Sequence, residues 1–447
     1  MTSEIKQRIE QINSGQVPEG YKKTEFGIFP CDWVTDKTFG DLFSFNGGLG
    51  KSREELSENG IEYLHYGDMH RSDFSIASLE QYSKLPKYDT KIKGDESFLM
   101  QDGDVAFLDA SEDLEGASRS VLIDNPENKP FIAGLHIIYG KPRGKELSKY
   151  YKQYLTRPEY IKKQFKKLAS GFKVYGLNRN TITGIKCAYP KSTAEQEKIA
   201  EILMKWNDAI ELYNQQIEKL NLLKSSCIKK MFPQKGKKVP EWRFKGFSNA
   251  WEQRKVTELG KIFIGLVTTM TEHYTDEGAL LIRNSDIKDG RFEFGDNPIY
   301  LEKSFAQANS SRMHQLGDVV TVHTGDVGTS AVIRENQVNS IGFATIVTRP
   351  NTKIITSDYL CTYLNTDQHK KWAVGVSTGD GRTNYNLGDY YECVVPVPTI
   401  EEQQKISEFI SNLNNLITLH QRKVEIIIRQ RKALQQYLLN GIVRVEV

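Results

Sequence analysis

The chain is written twice, and no other feature limits its fold so strongly. Val17-Pro18-Glu19-Gly20 returns as Val239-Pro240-Glu241-Trp242, and Trp33, behind the extended stretch Phe26 to Pro30, corresponds to Trp251. The segment around Gly40 and Leu42 matches that around Gly260 and Ile262. QDGDVAFLDA, with Gly103-Asp104-Val105, returns as QLGDVVTVHT, with Gly317-Asp318-Val319. SKYYKQYL at Ser148 returns as SDYLCTYL at Ser357, and PKSTAEQEKIA at Pro190 as PTIEEQQKIS at Pro398. A period this long marks a tandem duplication of one module, not a solenoid. With 447 residues, each copy is long enough for its own core.

Each copy closes in a long helix. Ser192-x-x-Glu195 and Thr399-x-x-Glu402 read as capping boxes just after a proline, with stops at Phe232-Pro233 and Asn440-Gly441. Ala194 to Phe232 and Ile400 to Leu439 would each run about 60 Å, and helices of that length need a partner. Stepping alternately by four and three, the first presents Ile199, Leu203, Trp206, Ile210, Tyr213, Ile217, Leu220, Lys224, Cys227 and Met231. The second presents Ile406, Ile410, Leu413, Ile417, His420, Val424, Ile427, Arg431, Leu434 and Leu438. This two-in-seven seam is a coiled-coil signature, narrower than a globular helix face. Lys224 and Arg431 occupy the same rung, so a parallel in-register pair would bury like charges together. The expected arrangement is therefore an intramolecular antiparallel coiled coil, with two heads about one helix length apart and related by a pseudo-twofold.

Net charge is only +3, but Lys141 to Lys191 holds 14 Lys or Arg against Glu146 and Glu159. The matching stretch Pro350 to Thr399 nets -1. One head is strongly cationic and the other is not. Lys162, Lys163, Lys166 and Lys167 read equally well as a solvated helix face. Mean hydropathy is -0.51, no apolar run reaches the length of a membrane span, and the amino terminus has no apolar signal core. Five cysteines, odd in number and widely spread, draw no disulfide framework; they read as reduced thiols in a cytoplasmic protein.

SGFKVYGLNRNTITGIKCAYPKSTAEQEKI from Ser170 and STGDGRTNYNLGDYYECVVPVPTIEEQQKI from Ser377 carry a family resemblance. Each is similar to the end of a target recognition domain in specificity subunits of Type I restriction-modification systems. GYKKTEFGIFPCDW from Gly20, VPEWRFKGF from Val239 and LLNGIVRV from Leu438 extend the resemblance over nearly the whole chain. It implies an α+β protein: an N-terminal arm (1–20), a first recognition domain (21–190) and a first spacer helix (191–232). A linker (233–250), a second recognition domain (251–398), a second spacer helix (399–440) and a tail (441–447) follow. It further implies a noncatalytic subunit whose two domains each read half of a bipartite site in double-stranded DNA. Two modification subunits using S-adenosylmethionine, and restriction subunits using ATP and magnesium, would be partners, with no cofactor on this chain.

Such a reader must meet phosphates with cations and base edges with hydrogen-bonding side chains. Lys173, Tyr175, Asn178 and Arg179 offer these groups in the first copy, and Arg382, Asn384, Tyr385 and Asn386 in the second. Earlier in each copy, His65, Tyr66, Asp68 and His70 answer Arg283, Asn284, Asp286 and Lys288. Turns use Asn and Asp for their own backbone bonds, which is the competing reading. FNGGLGKS at Phe45 lacks the first glycine of a phosphate loop, and the counterpart of Asp109 is His323, so nucleotide binding is not expected. Ile299 breaks the NPIY likeness to an adenine-methyltransferase motif. Arg283 and Lys288 replace the two histidines of a possible metal cluster at His65, Asp68 and His70, so no metal is expected. The alternatives are the recognition subunit of another multisubunit restriction or methylation system, and a scaffold or antirestriction factor that binds protein.

Overall fold

The computed structural model describes residues 2–71, 76–78, 85–89, 97–111, 118–168, 175–234, 236–378 and 383–446. The chain divides into two compact units, Met1–Leu212 with Lys423–Val447, and Tyr213–Arg422. Each long helix thus contributes one end to each unit, and the sequence-based boundaries follow chain order where the units do not. Among the described residues no helix is long and apolar enough to cross a membrane.

In the first unit the main sheet runs in the order Phe43–Gly47, Ile137–Pro142, Val105–Leu108, Ser120–Asp124, Ile76–Ser78. Its central strand, Val-Ala-Phe-Leu, is apolar throughout because both faces are covered. Val105 and Phe107 enter one core with Leu122 and Ile138, whereas Ala106 and Leu108 enter another with Val121, Ile123 and Tyr139. The second unit repeats this with Gly260–Ile264, Ile346–Pro350, Val319–Thr321 and Ser330–Val332. Val319 and Ile346 point to one core, Val320 and Ala331 to the other. The sequence itself suggests short strands over Asp104 to Leu108 and Asp318 to His323 and a helix over Ser148 to Lys167. The central strands begin and end within two residues of the suggested ones.

The turn before each central strand shows why QxGD recurs. Gly103 and Gly317 adopt φ of +82° and +84°, a conformation cheap only for glycine, and Asp104 and Asp318 each accept the backbone N–H two residues before that glycine at 2.8 Å. The carboxylates then differ. Asp318, fully buried, takes both arms of Arg349 at 2.8 Å. Asp104 has no such fork, and burial pushes its carboxyl up to about 6.

The helix expected over Ser148 to Lys167 is split into a 3-10 turn, Tyr150–Tyr154, and an α-helix, Glu159–Leu168. Pro158 sits at the break, where its ring cannot continue a helix. The counterparts are Ser357–Leu364 and Asp367–Val376.

The long helices span Thr193–Met231 and Ile400–Leu439. All 20 seam positions are buried or half-buried. In the first unit Ile199, Ala200 and Leu203 pack with Leu434, Leu438 and Leu439. In the second, Leu220, Cys227 and Met231 pack with Ile406, Ile410 and Leu413, and the Tyr213 and His420 rings lie 5.5 Å apart. The start of one helix meets the end of the other in both units, so the pair is antiparallel. Lys224 and Arg431 fall in different units, and Lys224 leaves the seam to pair with Asp289 at 2.8 Å.

The capping boxes form only in half. Ser192 and Thr399 accept the N–H of Glu195 and Glu402, but those glutamates do not reach back to their own caps. Buried instead, they receive guanidinium forks: Arg444 on Glu195 at 2.6 and 2.8 Å, and Arg243 on Glu402 at 2.6 and 2.7 Å. The next residue is also duplicated. Gln196 accepts from Ser148 N and donates to Glu146 and Pro190 carbonyls; Gln403 accepts from Thr356 N and donates to Ile354 and Pro398 carbonyls. Each recognition domain is clamped to its own helix by one buried amide.

Candidate nucleic-acid interface

In both units three segments meet at the carboxyl end of the central strand. In the first, Asp109 N donates to His136 O, and Asp109 O accepts Leu177 N at 2.7 Å. Tyr175–Gly176 pairs with Ala110–Ser111 alongside. In the second, His323 N donates to the side-chain oxygen of Asn284, and His323 O accepts Tyr385 N, both at 2.8 Å. Asn284 also donates to Ala344 O at 3.2 Å. The stretches around residues 136 and 177, distant in sequence, therefore converge on one strand end, with Tyr66 reaching it through the His136 ring, and in the second unit those near 284 and 385 do so directly.

The convergence uses a tight approach. A Cβ on Gly48 would lie 2.0 Å from Gly134 O, and one on Gly265 2.2 Å from Gly342 O, so the glycine of FNGGLGKS serves packing. His136 and Ala344, at matching places, hold φ of +60° and +49°. Non-glycine residues seldom adopt this region, and such strain gathers at functional sites.

The expected contact residues divide by environment. His65 is 7% exposed, accepts the Gly67 N–H at Nδ1, and is held by burial below the usual histidine range. Tyr66 lies on it at 4.4 Å and meets His136 edge-on at 5.2 Å. Asp68 pairs with Arg53 at 2.5 Å. Asn178 caps the helix Arg179–Thr183 by accepting from Thr181 N, a turn role, while Arg179 is exposed. Arg283 is half-buried and forks onto Asp286 at 2.8 and 3.1 Å. Lys288 is exposed. Asn384 accepts from Thr324 at 2.9 Å, and exposed Asn386 donates to Thr378 and Asp389.

Two expectations need correction. Tyr385 is fully buried among His369, Trp372 and Tyr390, and its backbone bond to the strand end makes it the counterpart of Leu177. An aromatic at that depth cannot touch a base. Asp286, 3% exposed, closes its own turn by accepting Arg283 N at 2.8 Å. Lys173 and Arg382 lie outside the described residues. His70 and Tyr175 are placed in their helix and strand as backbone only.

The basic stretch is also sorted by the fold. Lys149 is held by Asp102 and Asp124, Lys152 is buried against Gly103 O, and Lys186 pairs with Glu25. Lys163, Lys166 and Lys167 remain exposed on the helix whose inner face buries Ile161 and Phe165. Sequence inspection treated Asp109 and His323 only as evidence against nucleotide binding. Their role as strand-end pivots comes from hydrogen bonds to segments far away in the chain.

Comparison with known proteins agrees with this architecture. Residues 30–222 and 249–428 match the family described as the Type I restriction modification DNA specificity domain. A Methanocaldococcus jannaschii chain described as the MjaX type I restriction enzyme specificity subunit is 23% identical over 438 residues, 96% of this chain and 97% of that one. The Escherichia coli EcoBI specificity subunit is 28% identical over 137 residues, 31% of this chain and 29% of its own. The solved S subunit from M. genitalium superposes with TM-score 0.54 at 15% identity, covering 91% of this chain and 96% of that chain. A chain from a type I R-M system studied for complex assembly and conformational transition superposes with TM-score 0.58 at 16% identity, over 96% and 100%. With one copy of the matched domain in each repeat, this chain belongs to the Type I restriction modification DNA specificity family.

Proposed function

We propose that the chain reads a bipartite DNA sequence, one half-site by each recognition domain, for a Type I restriction-modification enzyme. The observation that carries this reading is the strand-end convergence: it is built twice, each time with the strand-end carbonyl accepting an N–H of the later loop, yet with different polar side chains. A duplicated module that kept its scaffold while changing its exposed hydrogen-bonding groups suits recognition of two different half-sites. In this reading the paired helices act as the spacer between half-sites and as the dock for two modification subunits. Methyl transfer from S-adenosylmethionine would belong to those subunits, and ATP- and magnesium-dependent steps to restriction subunits.

Lys163, Lys166 and Lys167 supply phosphate contacts without sequence preference. Replacing all three by Gln is expected to flatten the dependence of log affinity on log salt by about 2 to 3 units, with base preferences kept. A gel-shift series in rising salt measures this, and an unchanged slope would remove these lysines from the interface. Inserting one heptad in both long helices adds about 10 Å, equivalent to about three base pairs of DNA rise. The unread gap is then expected to lengthen by up to that amount while both half-sites stay the same. Sequencing of enriched duplexes checks it, and an unaltered gap would contradict the spacer role.

A further inference from the structure

At the two strand ends one backbone bond is shared, Leu177 N to Asp109 O and Tyr385 N to His323 O, and the side chains differ. In the first domain, Asp109 and His136 are joined through Oδ1 and Nδ1 at 2.9 Å, with 32% and 44% of their side chains exposed. In the second, His323 Nδ1 lies 2.7 Å from Thr324 Oγ1, and the Thr324 hydroxyl donates to Asn384 Oδ1 at 2.9 Å; all three are half-buried. The counterpart of Asp109 is thus a histidine, and the counterpart of His136 is Ala344. We infer that Asp109 with His136, and Asn384 held by Thr324 and His323, are the groups that discriminate bases in the first and second half-sites. The inference rests on the DNA-reading function proposed above; Asn384 is already a candidate contact in the sequence, and the geometry adds Asp109, His136, Thr324 and His323, to which the sequence assigns no contact.

The chemistry differs in sign. With Nδ1–H donated to Asp109, His136 Nε2 is an acceptor, and Asp109 keeps its second oxygen to accept. This pair suits the exocyclic amino groups of cytosine N4 or adenine N6. In the second domain Thr324 donates to Asn384 Oδ1, so its oxygen accepts from His323 Nδ1–H. That chain fixes the Asn384 amide with its oxygen turned inward and its nitrogen left as a donor. A fixed donor suits guanine O6 or N7, or thymine O4. Pre-orientation matters because a freely turning amide would accept and donate equally well. The strained backbone at His136 has the same effect, holding the ring where ordinary φ values would not.

The test uses the full-length chain and a pool of duplexes randomised in both half-sites, with thermal unfolding as a check on folding. D109N is expected to change the preferred base at one position of one half-site by about tenfold in enrichment and to leave the other half-site unchanged. N384D is expected to do the same in the other half-site. H136G keeps the fold, since glycine accepts the left-handed conformation readily, and loses the preference at the position governed by Asp109. Unchanged preferences in folded D109N and N384D, or equal weakening on every sequence, would overturn the assignment while leaving DNA reading intact. A wild-type chain that enriches no sequence, alone or with modification subunits, would overturn both.

Discussion

Lowering the pH from 7 to 5 is expected to destabilise the Tyr213–Arg422 unit by about 4 kcal/mol, from two histidines contributing about 2 kcal/mol each. His314 and His369 are almost completely buried, and burial holds both at about 4, below the 6.5 of the unfolded chain. His314 Nδ1 lies 2.8 Å from Ser340 Oγ, and His369 Nδ1 lies 2.6 Å from Leu364 O. Between pH 6.5 and 4 the unfolded state binds more protons than the folded one, so stability falls as acid is added and is fully present above 6.5. Asp104, in the other unit, works the opposite way. Its folded value of about 6 exceeds the unfolded 3.8, so its burial costs most at neutral pH, and acidification to pH 5 returns about 1 kcal/mol. Hydrogen exchange followed by mass spectrometry at the two pH values reads each unit separately. Equal protection changes in both units would refute the assignment of these titrations.

Arg243→Ala is expected to destabilise the second unit by roughly 3 to 5 kcal/mol, the range for breaking a buried ion pair from one side. Glu402 is fully buried, Arg243 is 12% exposed, and the two are joined at both nitrogen–oxygen contacts. Removing the guanidinium leaves a buried carboxylate without its charge partner. Arg444→Ala is the matched experiment in the first unit and should cost less, about 1 to 2 kcal/mol. Arg444 is 36% exposed and divides itself between Glu195 and Asp32, whose side chain is 63% exposed and readily solvated. Denaturant unfolding of the two variants checks the order. Equal losses would mean that the exposure of the arginine does not set the cost, since both glutamates are buried.

Periodicity made the long helices and their direction legible. A seam of apolar residues at every third or fourth place has only one face to bury, and the duplicated cation excluded parallel register before any contact was known. The central strands were legible for a related reason, since Val-Ala-Phe-Leu and Val-Val-Thr-Val, apolar or β-branched runs after a turn signal, suit a strand covered on both faces. The glutamates of Ser192-x-x-Glu195 and Thr399-x-x-Glu402 were misread as capping boxes because the motif is local while their real partners, Arg444 and Arg243, are 249 and 159 residues away. Tyr385 was misread because its neighbours in sequence, Asn384 and Asn386, are polar, whereas the rings that bury it, His369, Trp372 and Tyr390, are brought to it by packing.

Local pattern alone determined that this chain carries two copies of one module, each closed by a helix that needs an antiparallel partner. Those features depend on spacing of a few residues, which the order of side chains states directly. Tertiary structure alone decided which polar groups share a surface. Asp109 meets His136 and Leu177, and His323 meets Asn284 and Tyr385, through backbone and side-chain bonds that close only when strands and loops have packed. Burial, too, is a property of the assembled core: it makes a turn residue of Asp286, a core residue of Tyr385 and a neutral pair of His314 and His369, though all four are polar in the sequence.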